Sequence, residues 1–172
     1  MGRKKKMSKL TRENILHMAE KNGVEFIRLQ FVDILGIIKN VAITIEQLPE
    51  ALDGNIMFDG SSIEGFTRIN ESDMYLKPDY DTFVIFPWQT NGGTTARMMC
   101  DIYTPAGEPF IGCPRSTLKK VIAEAEEMGF EMFSGPEPEF FLFEKDENGN
   151  ATTRTHDKGG YFDLSPIDKG GN

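Results

Sequence analysis

Val24-Glu25-Phe26-Ile27-Arg28-Leu29-Gln30-Phe31-Val32 is a β-rich run and predicts a strand. Asp33-Ile34-Leu35-Gly36 turns the chain back into a second β-rich run, Ile37 to Ile45, so the pair predicts a hairpin. Upstream, Thr11 is placed to cap a helix that carries Ile15, Leu16 and Ala19 on one stripe and stops at Gly23. Downstream, Ile45 to Leu52 reads as a short helical segment, followed by a loop over 53–73. Thr82-Phe83-Val84-Ile85-Phe86 predicts a strand ending at Pro87-Trp88. Asn91-Gly92-Gly93 reads as a turn, and Ala96 to Tyr103 as a further strand. A small mixed sheet with a packed helix is an α+β fold.

Thr104-Pro105-Ala106-Gly107-Glu108-Pro109 is rich in turn formers and marks a boundary. Pro114 then opens a helix that runs to Met128, with Gly129 just past its end. Strands are expected over 130–134 and 137–144, joined to the tail by Asp146-Glu147-Asn148-Gly149-Asn150. One helix and two strands are too little to bury a core of their own. Residues 107–172 therefore read as a domain that begins and stops, either truncated or folded back on the first domain or on a partner. There are no internal repeats.

Composition bounds the function without naming it. The 172 residues are 39% hydrophobic and 27% charged, an ordinary globular balance. The net charge of −8 argues against a general binder of nucleic acid or anionic membrane. No apolar run approaches the ~20 residues of a membrane span. Cys100 and Cys113 have no paired-spacing motif and fit a reduced, cytoplasmic protein better than a disulfide scaffold. Met1-Gly2-Arg3-Lys4-Lys5-Lys6 is basic but leads into no apolar segment, so it is not a secretory signal, and Lys6 breaks the myristoylation pattern. Residues 1–9 are expected to be disordered.

Gly135-Pro136-Glu137-Pro138-Glu139-Phe140-Phe141-Leu142-Phe143 carries the first candidate chemistry. In an extended strand residues i and i+2 share a face, so Glu137 and Glu139 point the same way with Cα atoms roughly 7 Å apart. Phe141 and Phe143 continue that face, while Phe140 and Leu142 line the other. A strand apolar on both faces is usually buried on both. Glu139 is thus expected in a buried element, where a carboxylate needs a cation or hydrogen-bond donors. Two hard oxygen ligands on one face suit Mg²⁺ or Mn²⁺. The bland alternative is a strand start whose two Glu side chains face water.

A second motif is Phe58-Asp59-Gly60-Ser61-Ser62-Ile63-Glu64-Gly65-Phe66, followed by Thr67-Arg68-Ile69-Asn70-Glu71-Ser72-Asp73. Asp59-Gly60 is a turn dipeptide and Gly65 closes the loop. Apolar Phe58, Ile63 and Phe66 bracket its polar residues, which can pin such a loop in a fixed shape.

These motifs, with Asn70-Glu71-Ser72-Asp73-Met74, Tyr75-Leu76-Lys77-Pro78-Asp79 and Lys158-Gly159-Gly160-Tyr161-Phe162-Asp163, resemble the bacterial type I family of glutamine synthetases. They occur in family order and spacing, and the likeness runs from about Leu10 to the C-terminus. The resemblance implies a small β-grasp-like domain over residues 10–106, then the start of the family's catalytic α+β domain over 107–172. It also implies that the chain is the N-terminal portion of an enzyme more than twice its length.

That family uses ATP to phosphorylate the side-chain carboxylate of glutamate, and ammonia then displaces phosphate from the γ-glutamyl phosphate. By resemblance, Glu137 and Glu139 stand at its first two metal-ligand positions, one for each of two neighbouring Mg²⁺ or Mn²⁺ ions. Asp59 stands at the acid of the ammonium site, with Ser62 and Tyr161 around that pocket. An acid suits the position, because NH₄⁺ must be attracted and then deprotonated before it is a nucleophile. Against these roles stand a solvated loop hydroxyl for Ser62 and a half-buried strand tyrosine for Tyr161. Arg68 stands at a position tied to glutamine feedback inhibition in one branch of the family, or is an exposed loop arginine. Asp73 supports the loop from behind or contacts substrate.

The family's active sites lie between subunits in two stacked hexameric rings, so Asp59 and the Glu137/Glu139 pair of one chain would serve different sites. The implied partners are glutamate, ammonium, ATP and further copies of the chain. Alone, the chain is expected to be inactive, since the family's remaining ligands lie outside it. The alternative is a non-catalytic assembly or regulatory module from the same family.

His17 and His156 have no partner set for Ser/His/Asp or Cys/His catalysis. Gly159-Gly160 and Gly170-Gly171 lack the Lys-Ser/Thr and helix of a phosphate-binding loop.

Overall fold

The structure, a computed structural model, describes residues 9–63, 73–88, 93–164 and 167. By contacts the chain divides into two compact units, Met1–Met132 and Phe133–Asn172.

The first unit opens with α1, Arg12–Lys21. The Thr11 hydroxyl accepts a hydrogen bond from the Asn14 N–H, and the Asn14 side chain accepts from the Thr11 N–H at 3.1 Å. This reciprocal cap satisfies two N–H groups that the helix cannot, and a cap of this kind contributes about 1 kcal/mol. Ile15 and Ala19, one turn apart, are fully buried and form the helix's core stripe. Gly23 adopts φ +59, the left-handed conformation that ends the helix without a Cβ clash.

The strands are β1 (Val24–Val32), β2 (Ile38–Thr44), β3 (Ile56–Asp59), β4 (Asp73–Pro78), β5 (Val84–Ile85) and β6 (Thr94–Tyr103). They form one mixed sheet in the order β2-β1-β6-β4-β3, with β5 also paired to β6. β1 and β6 run parallel, and the other pairs are antiparallel. β6 therefore meets β1 along one side and, on its other side, β5 at Ala96 and Arg97 and β4 from Cys100 to Tyr103. The short helix α2, Leu48–Leu52, buries Leu48, Ala51 and Leu52. α3, Pro114–Glu127, belongs to the same unit.

Register lines the core up across the sheet. Ile43 pairs with Ile27, and Ile27 with Ala96; Ile56 pairs with Leu76, and Leu76 with Ile102. All six are buried, together with Leu29, Phe31, Met98 and Cys100 two residues along their strands. The period-2 burial of β1 and β6 is what alternating faces require. This is the α+β, β-grasp-like architecture that the resemblance implies.

The β1–β2 turn has a buried anchor. Asp33 is 2% exposed, and its Oδ1 accepts from the N–H groups of Leu35 and Ile37, both at 2.9 Å. The Lys39 ammonium lies 3.4 Å from Oδ2. Burial pushes the Asp33 pKa up, but these N–H groups and Lys39 outweigh it, so the carboxyl is held below its usual range.

Several expectations need correction. The segment 53–73, read as a loop, contains β3 and the first residue of β4. β3 has only four residues and ends in an acid, and the alternation in β4 rests on Met74 and Leu76 alone, which are buried. The strand expected over Thr82–Phe86 is only Val84–Ile85, because Asp79 caps a 3-10 turn at Tyr80–Thr82 by accepting from the Asp81 N–H. The strands expected over 130–134 and 137–144 do not form. β propensity alone does not make a strand; a ladder partner is needed, and among the described residues of the second unit the pairing is an isolated bridge, Lys145 to Ala151, around an Asp146–Asn150 turn.

The Asp33 geometry sets a pH dependence. A depressed carboxyl pKa contributes stability that is present above the unfolded value of about 3.9 and is lost as pH falls through the lower folded value. Asp33→Asn is expected to melt at lower temperature than the parent at pH 7, with the gap narrowing below about pH 4. Thermal midpoints of both proteins across this range check it; a gap independent of pH would show that the charge contributes nothing.

Candidate functional site

Asp59 ends β3 and caps the 3-10 turn Gly60–Ser62. Its Oδ1 accepts from the Ser61 N–H at 2.9 Å and from the Ser61 hydroxyl at 2.6 Å. Gly60 is buried, whereas Asp59 and Ser62 are exposed. Phe58 packs against the core and tilts over Phe31 with ring centroids 4.9 Å apart; Ile63 packs there as well. Phe58 and Ile63 tether the turn, while the third apolar bracket, Phe66, lies outside the described residues.

Asp73 begins β4 and is the direct antiparallel partner of Asp59. Directly opposed residues share a face with Cβ atoms about 5 Å apart, and like charges so placed repel. The two carboxylates stand at the neck of the loop that leaves the sheet edge. Arg68, within that loop, lies outside the described residues.

Glu137, Glu139 and Tyr161 belong to the second unit. The expected burial of Glu139 is not found. Glu137 and Glu139 are exposed, as are Phe140, Leu142, Phe143 and, at 82%, Phe141. The physical reason is the missing ladder, since without a sheet neither face of the segment is covered. The alternation itself leaves a trace: the rings of Phe141 and Phe143 stack with centroids 6.2 Å apart. Tyr161, read as either a pocket residue or a half-buried strand tyrosine, is 81% exposed and in no strand.

The fold of the second unit nonetheless brings two candidate residues together. The Tyr161 hydroxyl donates to Glu139 Oε1 at 3.0 Å, across 22 residues of sequence. Both line a cleft of about 740 Å³ with Phe141, His156, Asp157 and Lys158. His156 Nε2 lies 3.2 Å from Asp157 Oδ2, an ion pair when the imidazole is protonated. Local periodicity could not have shown the Tyr161–Glu139 contact or the place of His156 at this cleft.

Two carboxylates are the hard oxygen donors that Mg²⁺ or Mn²⁺ takes, so the donor type fits a divalent cation. Among the described residues no three His, Cys, Asp or Glu side chains converge on a common point, and Glu139 is engaged by Tyr161. Of the described helices, none is long and apolar enough to cross a membrane.

Comparison with known proteins gives this geometry a context. Residues 23–105 match the model of the glutamine synthetase β-grasp domain, and residues 111–172 match that of the glutamine synthetase catalytic domain. A glutamine synthetase of Clostridium saccharobutylicum is 60% identical over 96% of this chain, and one of Staphylococcus aureus is 57% identical over 94%. The chain spans 38% and 36% of the lengths of these curated relatives. Among solved structures, glutamine synthetase of Plasmodium falciparum is similar with a TM-score of 0.63 at 25% identity, over 72% of this chain and 24% of that one. A GmaS/ADP complex is similar in fold, with a TM-score of 0.60 at 23% identity over 66% of this chain and 26% of that one. Two models of one family on either side of the turn-rich segment 104–109, and relatives this close, show that the chain belongs to the glutamine synthetase family, whose N-terminal region it spans.

Proposed function

We propose that this chain is the N-terminal part of an ATP-dependent glutamate–ammonia ligase. The γ-carboxylate of glutamate takes the terminal phosphoryl group of ATP, and ammonia then displaces phosphate from the acyl phosphate to leave glutamine. The observation that carries this reading is the opposed pair Asp59 and Asp73 at the neck of the FDGSSIEGF loop. Like charges directly opposed across a rung repel, so this position favours a cation. Ammonium is such a cation, and a carboxylate can both draw it in and take its proton. Ser61 holds Asp59 Oδ1 and so orients the carboxylate. Ser62, and Tyr161 from a neighbouring copy of the chain, would offer hydroxyls that accept N–H donors.

Glu137 and Glu139 would hold Mg²⁺ or Mn²⁺. Such a cation neutralises phosphate oxygens during phosphoryl transfer. The Tyr161 hydroxyl donates to Glu139 at the cleft that both residues line. Arg68 is proposed as a feedback contact for glutamine. The domain division proposed is β-grasp to residue 106 and catalytic from 107, with residues 1–9 outside both. The whole enzyme is proposed to be an oligomer of stacked hexamers, cytoplasmic, with Asp59 and the glutamate pair serving different active sites. Buried, unpaired Cys100 and Cys113 suit a reducing compartment.

Exposed Glu137 and Glu139, without a third converging ligand among the described residues, favour an inactive chain when it stands alone. Phosphate release by the 172-residue chain, with ATP, glutamate and ammonium, is expected to stay at background. Turnover comparable to a full-length relative would overturn that reading.

In the full-length protein, Asp59→Ala is expected to lower glutamine formation about 10²-fold or more, the usual contribution of a general base. Glutamate-dependent ATP cleavage without ammonia should fall far less, since the acid acts on ammonium and not on the phosphoryl group. Measuring both rates on one preparation decides it; equal losses would make Asp59 a structural or phosphate-site residue.

A further inference from the structure

α3 stands apart from α1 and α2. α1 and α2 each bury side chains, but no residue of α3 is buried. Leu118, Val121 and Met128 are half or more exposed. Its charges also run against its dipole. Arg115, Lys119 and Lys120 fill the N-terminal half, while Glu124, Glu126 and Glu127 fill the last turn. Cations near the N-terminus and anions near the C-terminus both weaken a helix. A helix this short is marginal in water even with a favourable sequence.

What holds it lies at one end. Phe110 and the N-cap Cys113, just before the helix, are buried in the core. Arg115 forks, with one guanidinium nitrogen on Asp79 Oδ2 and the other 2.8 Å from Asp101 Oδ1. Lys119, one turn on, pairs with Asp101 Oδ2. Ile122 continues that face and is half-buried. The Arg115, Asp79 and Asp101 side chains are 21%, 29% and 14% exposed, so these pairs are partly shielded from water. Asp101 falls between buried Cys100 and Ile102 and points to the face of β6 opposite theirs. Asp79 follows β4 and also caps the 3-10 turn. Lys120–Glu124, which reaches past Ile122 on α3, is exposed and 3.9 Å long and contributes little.

We propose that Asp79, Asp101, Arg115 and Lys119 form an ionic latch that seats α3 on the sheet, so that α3 opens as a unit of its own while the sheet stays folded. Because the catalytic-domain match begins at residue 111, α3 is the first helix of that region, and the latch lets the β-grasp unit carry it. Arg115 and Lys119 are positioning residues here. A charge latch differs from an apolar contact in responding to salt.

Hydrogen exchange on the 172-residue chain, read in peptides covering α3, β1 and β6, tests this. Arg115→Gln is expected to speed exchange in α3 about tenfold or more, leaving β1 and β6 unchanged. Lys119→Gln, which removes only the Asp101 contact, should give a smaller increase. Raising salt should speed α3 exchange in the parent chain and have little further effect in Arg115→Gln. Unchanged α3 exchange in Arg115→Gln, an equal rise in the sheet, or a larger effect from Lys119→Gln overturns the proposal. If Arg115→Gln does not fold, the salt response of the parent decides, and α3 exchange independent of salt refutes the latch.

Discussion

The parallel ladder between β1 and β6 is the constraint on which the first unit rests. It joins a strand near residue 24 to one near residue 94 in the same direction, so a tight hairpin cannot connect them and the other four strands lie in the chain between. Everything else hangs from that pairing. β2 is added to β1 by a local hairpin, and β4 and β5 are added to the far side of β6. The pairing sets Ile27 beside Ala96 and Leu29 beside Met98, which fixes the face that α1 and α2 cover. A slip of one residue would turn that buried row to water. The candidate ammonium loop depends on the same frame, since β3 reaches β6 only through β4.

The two units present their candidate residues on different terms. Asp59 and Asp73 stand on a rung of a buried, hydrogen-bonded sheet, and the turn beside them is pinned through Phe58 and Ile63. Function placed on such rigid elements is held to its geometry. Glu137 and Glu139 stand on a segment with no ladder, flanked by four exposed apolar side chains. The Tyr161–Glu139 contact is the principal order given to the pair.

What was legible in the sequence follows from interaction range. α1, with its Thr11 cap and Gly23 stop, needs only neighbours within a turn or two, and it could be read directly. The β1–β2 hairpin was legible for the same reason, although the buried carboxylate of Asp33 that anchors it was not. β3 and β4 were hidden, because a four-residue strand leaves too short a pattern and its meaning lies in a partner across the loop. The opposite error occurred at 137–144. There β propensity was strong, but pairing is non-local, and propensity cannot supply a partner. The motif residues Asp59, Ser62, Glu137, Glu139 and Tyr161 are singled out by resemblance alone. The opposition of Asp59 to Asp73 and the closure of Tyr161 onto Glu139 came only with the fold.

The central proposal is that the first unit is an ordered scaffold, while Glu137 and Glu139 of the second would hold a divalent cation only together with further ligands. Calorimetric titration of Mn²⁺ into the chain and into Glu139→Ala tests it most directly. The account predicts weak heats that hardly differ between the two proteins, because two exposed carboxylates leave most of an octahedral shell to water. Saturable binding in the low micromolar range or tighter, abolished by Glu139→Ala, would show a complete metal site in these residues and contradict the account.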